Sequence, residues 1–370
     1  MICAPLHAQG DWETNKASER ALELGLKWLA ENQGADGNWE SDDLGLVSMG
    51  ALAFMSAGHA PGRGRYGDEL KKALDYIINN AKPSGLLNIA NNRRDMYNHG
   101  LATFVLGQAH GMTTSQDQRL NKVLDRALKL IADTQCEDGG WDYIAHRQAN
   151  GHDLSLAVMQ AKALRSAMDS GLKVPPEVID LAIKSVREHY NPQDGKRTAP
   201  DSEQMRLPGF FTYQKGGNNG TPAMAAAGVV CLQEFGQYDD WRIAKNMEVI
   251  TATIGDLPKP TARDGKMPFD AYTMYYVGQA LYQVGDTHWR NNYPRLRDYL
   301  VVSQVIDEQR ADIHGSWQDD GARGGRRVGG KPGYLYGTSV ACFILAIPNR
   351  YLPILQDGKI ESLKHRFGNK

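Results

Sequence analysis

The residues best equipped for chemistry stand at the starts of apolar stretches. Six such starts carry Asp42-Asp43, Asn98-His99, His152-Asp153, Asn219-Gly220-Thr221, Asp270 and Gly337-Thr338. Carboxyl groups here can give or take a proton. Adjacent ones, such as Asp42 and Asp43, raise each other's pKa, which suits a general acid near neutral pH. The candidate acids are Asp42, Asp43, Asp153 and Asp270. Asp, Asn and Thr are equally the preferred helix caps, each worth about 1 kcal/mol through a bond to a free N–H. Asp153 is the strongest candidate for a further role, because His152 precedes it and His99 lies in a different repeat. The chain is expected to need no cofactor. A divalent ion held by His99, His152 and Asp153 is the one metal site these residue types allow.

These positions are set by two kinds of helical segment. The first is amphipathic and charged: 18–32, 69–80, 119–134, 176–189, 241–253 and 289–304. In Ala21-Leu22-Glu23-Leu24-Gly25-Leu26-Lys27-Trp28-Leu29 the apolar residues recur at the spacing of a one-sided helix. The second kind is apolar nearly all round: 44–58, 100–111, 154–171, 223–236, 271–285 and 339–348. A helix without a wet face is buried on every side. Six outer and six inner helices in alternation predict a closed double ring, an all-α (α/α)6 toroid, with about sixty residues per hairpin. The expected boundaries are an N-terminal segment 1–16, one toroid domain 17–356 and a tail 357–370. In such a ring all inner N-termini open at one end, where their dipoles favour an anion. The functional site is expected there, with the long loops 196–220, 258–269 and 321–334. The last of these carries Arg323, Arg326, Arg327 and Lys331.

Composition narrows the options. The 370 residues hold 42 Lys+Arg and 43 Asp+Glu, and the net charge of −1 excludes a globally basic nucleic-acid binder. No apolar run approaches the ~18 residues of a membrane span. Cys3, Cys136, Cys231 and Cys342 are far apart, so neither a disulfide framework nor a cysteine zinc site is legible. Gly-x-Ser-x-Gly, phosphate-loop, Rossmann and His-Glu-x-x-His patterns do not occur, which removes the common hydrolase, kinase, dehydrogenase and metalloprotease classes. Met1 to Gln9, with Leu6-His7-Ala8, resembles the end of a secretory signal. A periplasmic or secreted location follows if it is one, and a cytoplasmic location otherwise.

Outer helices hand over to inner ones through a repeated box. Gln33-…-Asp36-Gly37-Asn38-Trp39 is matched by Gln135-…-Asp138-Gly139-Gly140-Trp141, with weaker echoes at Asn191–Gly195 and Gln309-…-Gly315-Ser316-Trp317. Asp-Gly makes the turn, Gln bonds freed backbone groups and Trp covers the junction. Repeats two and five, near Lys82–Leu87 and Gly255–Pro258, lack it.

These boxes resemble the QW repeats of squalene and hopene cyclases, shared more weakly by protein prenyltransferase β subunits. The resemblance covers roughly residues 17–356. Tyr97-Asn98-His99-Gly100-Leu101-Ala102-Thr103, His152-Asp153-Leu154-Ser155 and Ile347-Pro348-Asn349-Arg350-Tyr351-Leu352-Pro353 are similar to the single-toroid prenyltransferase/squalene oxidase repeat proteins of planctomycete-type bacteria. The resemblance implies a toroid whose cavity takes an isoprenoid. Glu40-Ser41-Asp42-Asp43 resembles the Asp-x-Asp-Asp proton donor of class II terpenoid cyclases, with Asp42 as the donor. Arg263-Asp264-Gly265-Lys266-Met267-Pro268-Phe269-Asp270-Ala271-Tyr272 resembles the diphosphate- and zinc-binding stretch of prenyltransferases, with Arg263 and Lys266 on the diphosphate. Tyr272 stands near the thiolate position and Tyr336-Gly337-Thr338 lacks the histidine, so two of three zinc ligands are missing and zinc-dependent prenyl transfer is not expected.

Three functions follow as expectations. The first is an elongated apolar or diphosphate-headed ligand in the central cavity, bound by Tyr97, His99, His152, Arg263, Lys266, Tyr272, Tyr275 and Tyr336. The second is an exported scaffold for a protein or glycan partner. The third is a polysaccharide-active enzyme, because helical toroids also host carbohydrate chemistry.

Overall fold

The computed structural model describes residues 12–90, 93–112, 117–193, 197–259, 263–319 and 330–356, with residues 330 and 331 described in their backbone only. The first helices are α1 (Lys16–Glu31), α2 (Leu44–Ser56), α3 (Gly67–Asn79), α4 (Asp95–Met112), α5 (Gln118–Thr134), α6 (Leu154–Asp169) and α7 (Pro176–Glu188). A small excursion follows: β1 (Tyr190–Pro192), the single turn α8 (Asp201–Gln204) and β2 (Gly209–Phe211), the two strands pairing antiparallel. The chain resumes with α9 (Pro222–Glu234), α10 (Trp241–Gly255), α11 (Ala271–Val284), α12 (Asp286–Ser303) and α13 (Gly330–Ala346).

Burial sorts these helices into two rings. On α5 the buried residues include Leu120, Leu124, Ala127, Leu128 and Ile131, the stripe of a one-sided helix. On α2 every residue except Leu46 is buried. The all-round apolar helices pack in sequence, α2 on α4, α4 on α6, α6 on α9, α9 on α11, α11 on α13, and α13 back on α2. That closes the inner ring. α1 meets α12 in the outer ring, and β1 and β2 fill the gap between α7 and α10. The fold is an all-α (α/α)6 toroid.

Three turns are held by one set of bonds. The Gln33 amide donates to Glu69 O (2.9 Å) on the next outer helix and to Gly37 O (3.3 Å) in its own turn. Gln135 does the same to Val178 O (2.9 Å) and Gly139 O (3.1 Å). Gln304 repeats it on Ala21 O (2.9 Å) and Gly315 O (2.8 Å), across the seam of the ring. The indoles of Trp39, Trp141 and Trp317 each donate to a late carbonyl of the preceding outer helix, Leu29, Ile131 and Leu300. In the third box the working glutamine is Gln304 rather than Gln309, because the turn there is longer. Glycine is obligatory at Gly139, whose φ is +84° and whose added Cβ would stand 2.1 Å from Leu181 O.

Two inner helices start earlier than expected, α4 at Asp95 instead of 100 and α13 at Gly330 instead of 339. Asn98-His99 and Gly337-Thr338 therefore lie inside helices and cap nothing. Gly100 is a packing contact, since a Cβ there would meet the Gln160 side chain at 2.7 Å. Thr338 uses its hydroxyl on Trp317, accepting from its N–H at 3.0 Å. His99 performs the staple in repeat two: Nδ1 accepts from Leu87 N (3.1 Å) and Nε2 bonds Ala127 O (3.1 Å) on α5.

Among the described residues, side chains meet across the middle of the ring. Lys162 of α6 bonds Glu234 of α9 (3.3 Å) and Gln279 of α11, and its ammonium lies 4.4 Å from the centre of the Phe104 ring on α4. Such contacts between α6 and α11, which are not ring neighbours, exist only where side chains meet on the axis. The far end is crossed by residues 347–356: Ile354 N donates to Gln108 Oε1 (3.1 Å) and Tyr282 Oη donates to Leu355 O (2.5 Å).

The staples should carry measurable stability. Trp141→Ala is expected to lower the unfolding free energy by about 3–5 kcal/mol, and Gln135→Ala by about 1–3 kcal/mol, by urea denaturation. Near-neutral effects would remove the staples from the account of the fold. The buried histidines supply a pH test. Burial pushes His99 down to about 4, and burial aided by Lys215 pushes His189 down to about 4. The unfolded chain binds their protons first as pH falls below 6.5, so stability is full above that and lost toward pH 4. The loss is on the order of 3 kcal/mol per histidine. His99→Gln should flatten the decline of the urea midpoint between pH 7 and 4; an unchanged slope would contradict it.

Candidate functional site

The site is assembled by the caps of the inner helices. Asp43 caps α2, accepting from Gly45 N (2.9 Å) and Leu46 N (3.2 Å). Asp153 caps α6, accepting from Ser155 N (2.9 Å) and Leu156 N (3.3 Å). Asp270 caps α11 through Thr273 N (3.0 Å), and Thr221 caps α9 through Met224 N (3.2 Å). Because inner helices alternate with outer ones, these caps share one end of the ring, which we call the mouth.

Tyrosines line the mouth between the carboxylates. The rings of Tyr97 (α4) and Tyr272 (α11) lie 6.3 Å apart, and Tyr272 is edge-on to Tyr276 at 4.9 Å. Below them Tyr275 meets Tyr276 at 5.1 Å and Phe343 of α13 at 5.2 Å. Tyr275 and Tyr276 are fully buried, whereas Tyr97, Tyr272 and Tyr336 keep a partial opening to solvent. Burial raises the phenol pKa of all five well above the usual value. Carboxylate charge adds to this at the rim: Asp153 and Asp43 act on Tyr97, Asp153 on Tyr272, and Asp319 and Asp270 on Tyr336. Such coupling places these groups around one space. The phenols stay protonated and offer hydroxyl donors.

Asp153 is the most elaborated cap. While Oδ1 holds the helix, Oδ2 accepts from His152 Nδ1 at 2.8 Å. The Ser155 hydroxyl donates to Oδ1 at 2.5 Å. The carboxylate is shut from solvent while the His152 side chain is 43% exposed. Its Nε2 has no protein partner among the described residues. The Tyr143 and Tyr213 hydroxyls bond each other beside it, and burial followed by Asp153's charge raises the Tyr143 pKa. Backbone ties bring both tyrosines in: Met96 N donates to Tyr143 O (3.0 Å) and Leu154 N to Tyr213 O (2.9 Å).

Asp43 sits in a different environment. Burial raises its pKa, against the lowering effects of Leu46 N–H, the Asn98 side chain, Gly45 N–H and Arg94. Trp39 and Glu40, just before it, both have positive φ (52° and 59°). Strained backbone of this kind is retained where the surroundings over-determine it.

Several expected members stand apart. Asp42 is exposed. His99 faces α5 with both nitrogens engaged by backbone, so it cannot join His152 and Asp153 on an ion. Among the described residues no group of three or more His, Cys, Asp or Glu side chains is placed to hold a metal. Tyr275 packs below the rim. Arg263 is exposed, and the exposed Lys266 lies 4.0 Å from Asp264. Arg323, Arg326, Arg327, the Lys331 side chain, Cys3 and the N-terminal signal-like run lie outside the described residues. No helix of the described residues is long and apolar enough to cross a membrane. Tyr143, Tyr213 and Asp319 were not foreseen. Tyr143 and Asp319 each follow a Trp box by two residues, a regularity that could have flagged them.

No protein-family model matches the sequence, and no curated protein matches it. Solved structures share the ring. An alpha-1,6-mannanase of Salegentibacter sp. HEL1_6, an inactive variant with two neighbouring aspartates changed to asparagine and in complex with alpha-1,6-mannotriose, is similar with a TM-score of 0.53 and 12% identity. The match covers 90% of this chain and 99% of that one. A possible member of the GH105 family from Salmonella enterica is similar with a TM-score of 0.50 and 12% identity, over 94% of this chain and 95% of that one. A type II terpene cyclase, MstE from Scytonema, gives 0.34 and 12% identity over 65% of this chain and 79% of that one. At these identities the chain shares the helical toroid fold with the first two.

Proposed function

We propose that the mouth of the ring binds a carbohydrate chain and hydrolyses it. One observation carries this reading: a rim of tyrosines and carboxylates lies over a ring whose axis is filled by Lys162, Glu234 and Gln279. A sugar ring offers apolar C–H faces to aromatic side chains and hydroxyls to carboxylates, and it needs a rim of this kind rather than a deep bore. Asp43, whose pKa burial raises, is the general acid that protonates the leaving glycosidic oxygen. His152, oriented by Asp153 through Nδ1, takes the proton of the attacking water at Nε2. The C–O bond breaks as water's oxygen bonds the anomeric carbon, and Asp43 and His152 then exchange protons with solvent. The similarity in fold to a mannanase supports a glycan as the ligand class.

An isoprenoid is the second reading, favoured by the tyrosine faces. It would be confined to the space above Lys162, which limits the length of chain the ring can take. A scaffold that binds glycans without cleaving them is the third.

Purified protein incubated with oligosaccharides, alpha-1,6-mannotetraose among them, should release reducing ends. Asp43→Asn should cut that rate by about 10²–10⁴ and His152→Ala by at least tenfold, with melting temperatures held. Binding without release, lost in Tyr97→Ala, would leave the scaffold reading. If prenyl diphosphates raise the melting temperature and arrays of neutral, acidic and amino sugars do not, the glycan reading is withdrawn.

A further inference from the structure

A second hollow, of about 550 Å³, lies on the outer wall where the excursion between β1 and β2 bridges α7 and α10. Lys184, Arg187, Arg197 and Arg242 line it, against Asp180 and Glu188. Of the two acids, the exposed Asp180 has no ion pair among the described residues, and four basic side chains outnumber the two carboxylates. Glu188 is paired with Lys215 at 2.9 Å. Arg187 and Arg242 share one buried carboxylate, Asp240, at 2.8 and 3.1 Å, and Arg242 adds the exposed Asp201 at 2.9 Å. Arg197 bonds only neutral oxygens, Asn191 Oδ1 at 2.8 Å and Gly217 O at 2.7 Å among its nearest. Neither Arg197 nor Lys184 has a carboxylate partner among the described residues.

Two donors at the hollow are unspent. Arg242 is 6% exposed and its Nε has no hydrogen-bond partner; Tyr190 is 4% exposed and its hydroxyl has none. Leaving such groups unsatisfied costs about 1–3 kcal/mol each, so their presence at a cationic hollow calls for an occupant. Both residues line the hollow. They act on an occupant by charge and dipole.

We propose that this hollow binds an oxyanion: sulfate, phosphate, or the same group or a carboxylate carried on a sugar. Arg197 and Lys184 supply the unneutralised charge, and Arg242 and Tyr190 the unused donors. The planar guanidinium of Arg197 is suited to two oxygens of one anion. The hollow would take such an anion whatever the mouth of the ring accepts.

Titration calorimetry and melting curves on the full chain test this, with sodium sulfate, sodium phosphate, a sulfated disaccharide and oligogalacturonate as probes. Sodium chloride at equal ionic strength is the control. At least one probe should bind saturably with a stoichiometry near one and raise the melting temperature above the chloride control. Arg197→Gln should weaken it tenfold or more, and Lys184→Gln about threefold. Tyr190→Phe should weaken it without lowering the melting temperature of the free protein. If Arg197→Gln fails to fold, Lys184→Gln decides, because that exposed side chain holds no structural bond. A sulfated sugar binding more tightly than sulfate identifies a glycan-borne anion; equal affinity identifies the free ion. Stabilisation no greater than with chloride, or variants that bind like the wild type, overturns the proposal.

Discussion

The constraint on which the molecule depends is the backbone left open where each outer helix ends. A turn between two packed helices buries carbonyls that have no helical partner, and unsatisfied carbonyls there would cost more than a turn can recover. Gln33, Gln135 and Gln304 each settle two of them with one amide, one in their own turn and one on the next outer helix. That second bond is what ties hairpin to hairpin. Since Gln304 reaches Ala21, the same device that joins consecutive repeats also closes the ring on its own beginning. His99 takes over the bond to the next outer helix in repeat two, which explains a histidine with no exposure and no role at the mouth.

Much of this was legible because it is periodic. The six charged and six apolar segments differ in period and composition, and Gly-x-Trp turns recur after the outer helices. What the sequence did not reveal was where an inner helix begins when polar residues occupy its first turns. Tyr97, Asn98 and His99 look like a cap because they are polar, yet α4 already starts at Asp95 and they project to three different neighbours. Tyr143 and Tyr213 were invisible for another reason: they reach the mouth through backbone ties to Met96 and Leu154, and sequence spacing does not encode a tie across repeats.

Lys162 and Glu234 divide the interior. A buried ion pair seldom stabilises a fold more than apolar packing would, since desolvation offsets the attraction. Its effect here is geometric, for it draws α4, α6, α9 and α11 together in the middle of the ring.

The capping and catalytic readings of the rim aspartates are not alternatives. A cap needs one oxygen. Asp43 spends Oδ1 on two backbone N–H groups, and Asp153 likewise spends Oδ1 on the helix and keeps Oδ2 for His152. A hydroxyl cap has no second oxygen to offer, so Thr221 fixes α9 and can do nothing more. The helix N-terminus favours the charged carboxylate while burial favours the protonated one. At Asp43 burial prevails despite the N–H groups, the Asn98 side chain and Arg94, so an aspartate anchored as a cap still has its pKa raised above the ordinary carboxylate value. At Asp153 the division is explicit, one oxygen fixing the helix and the other orienting His152.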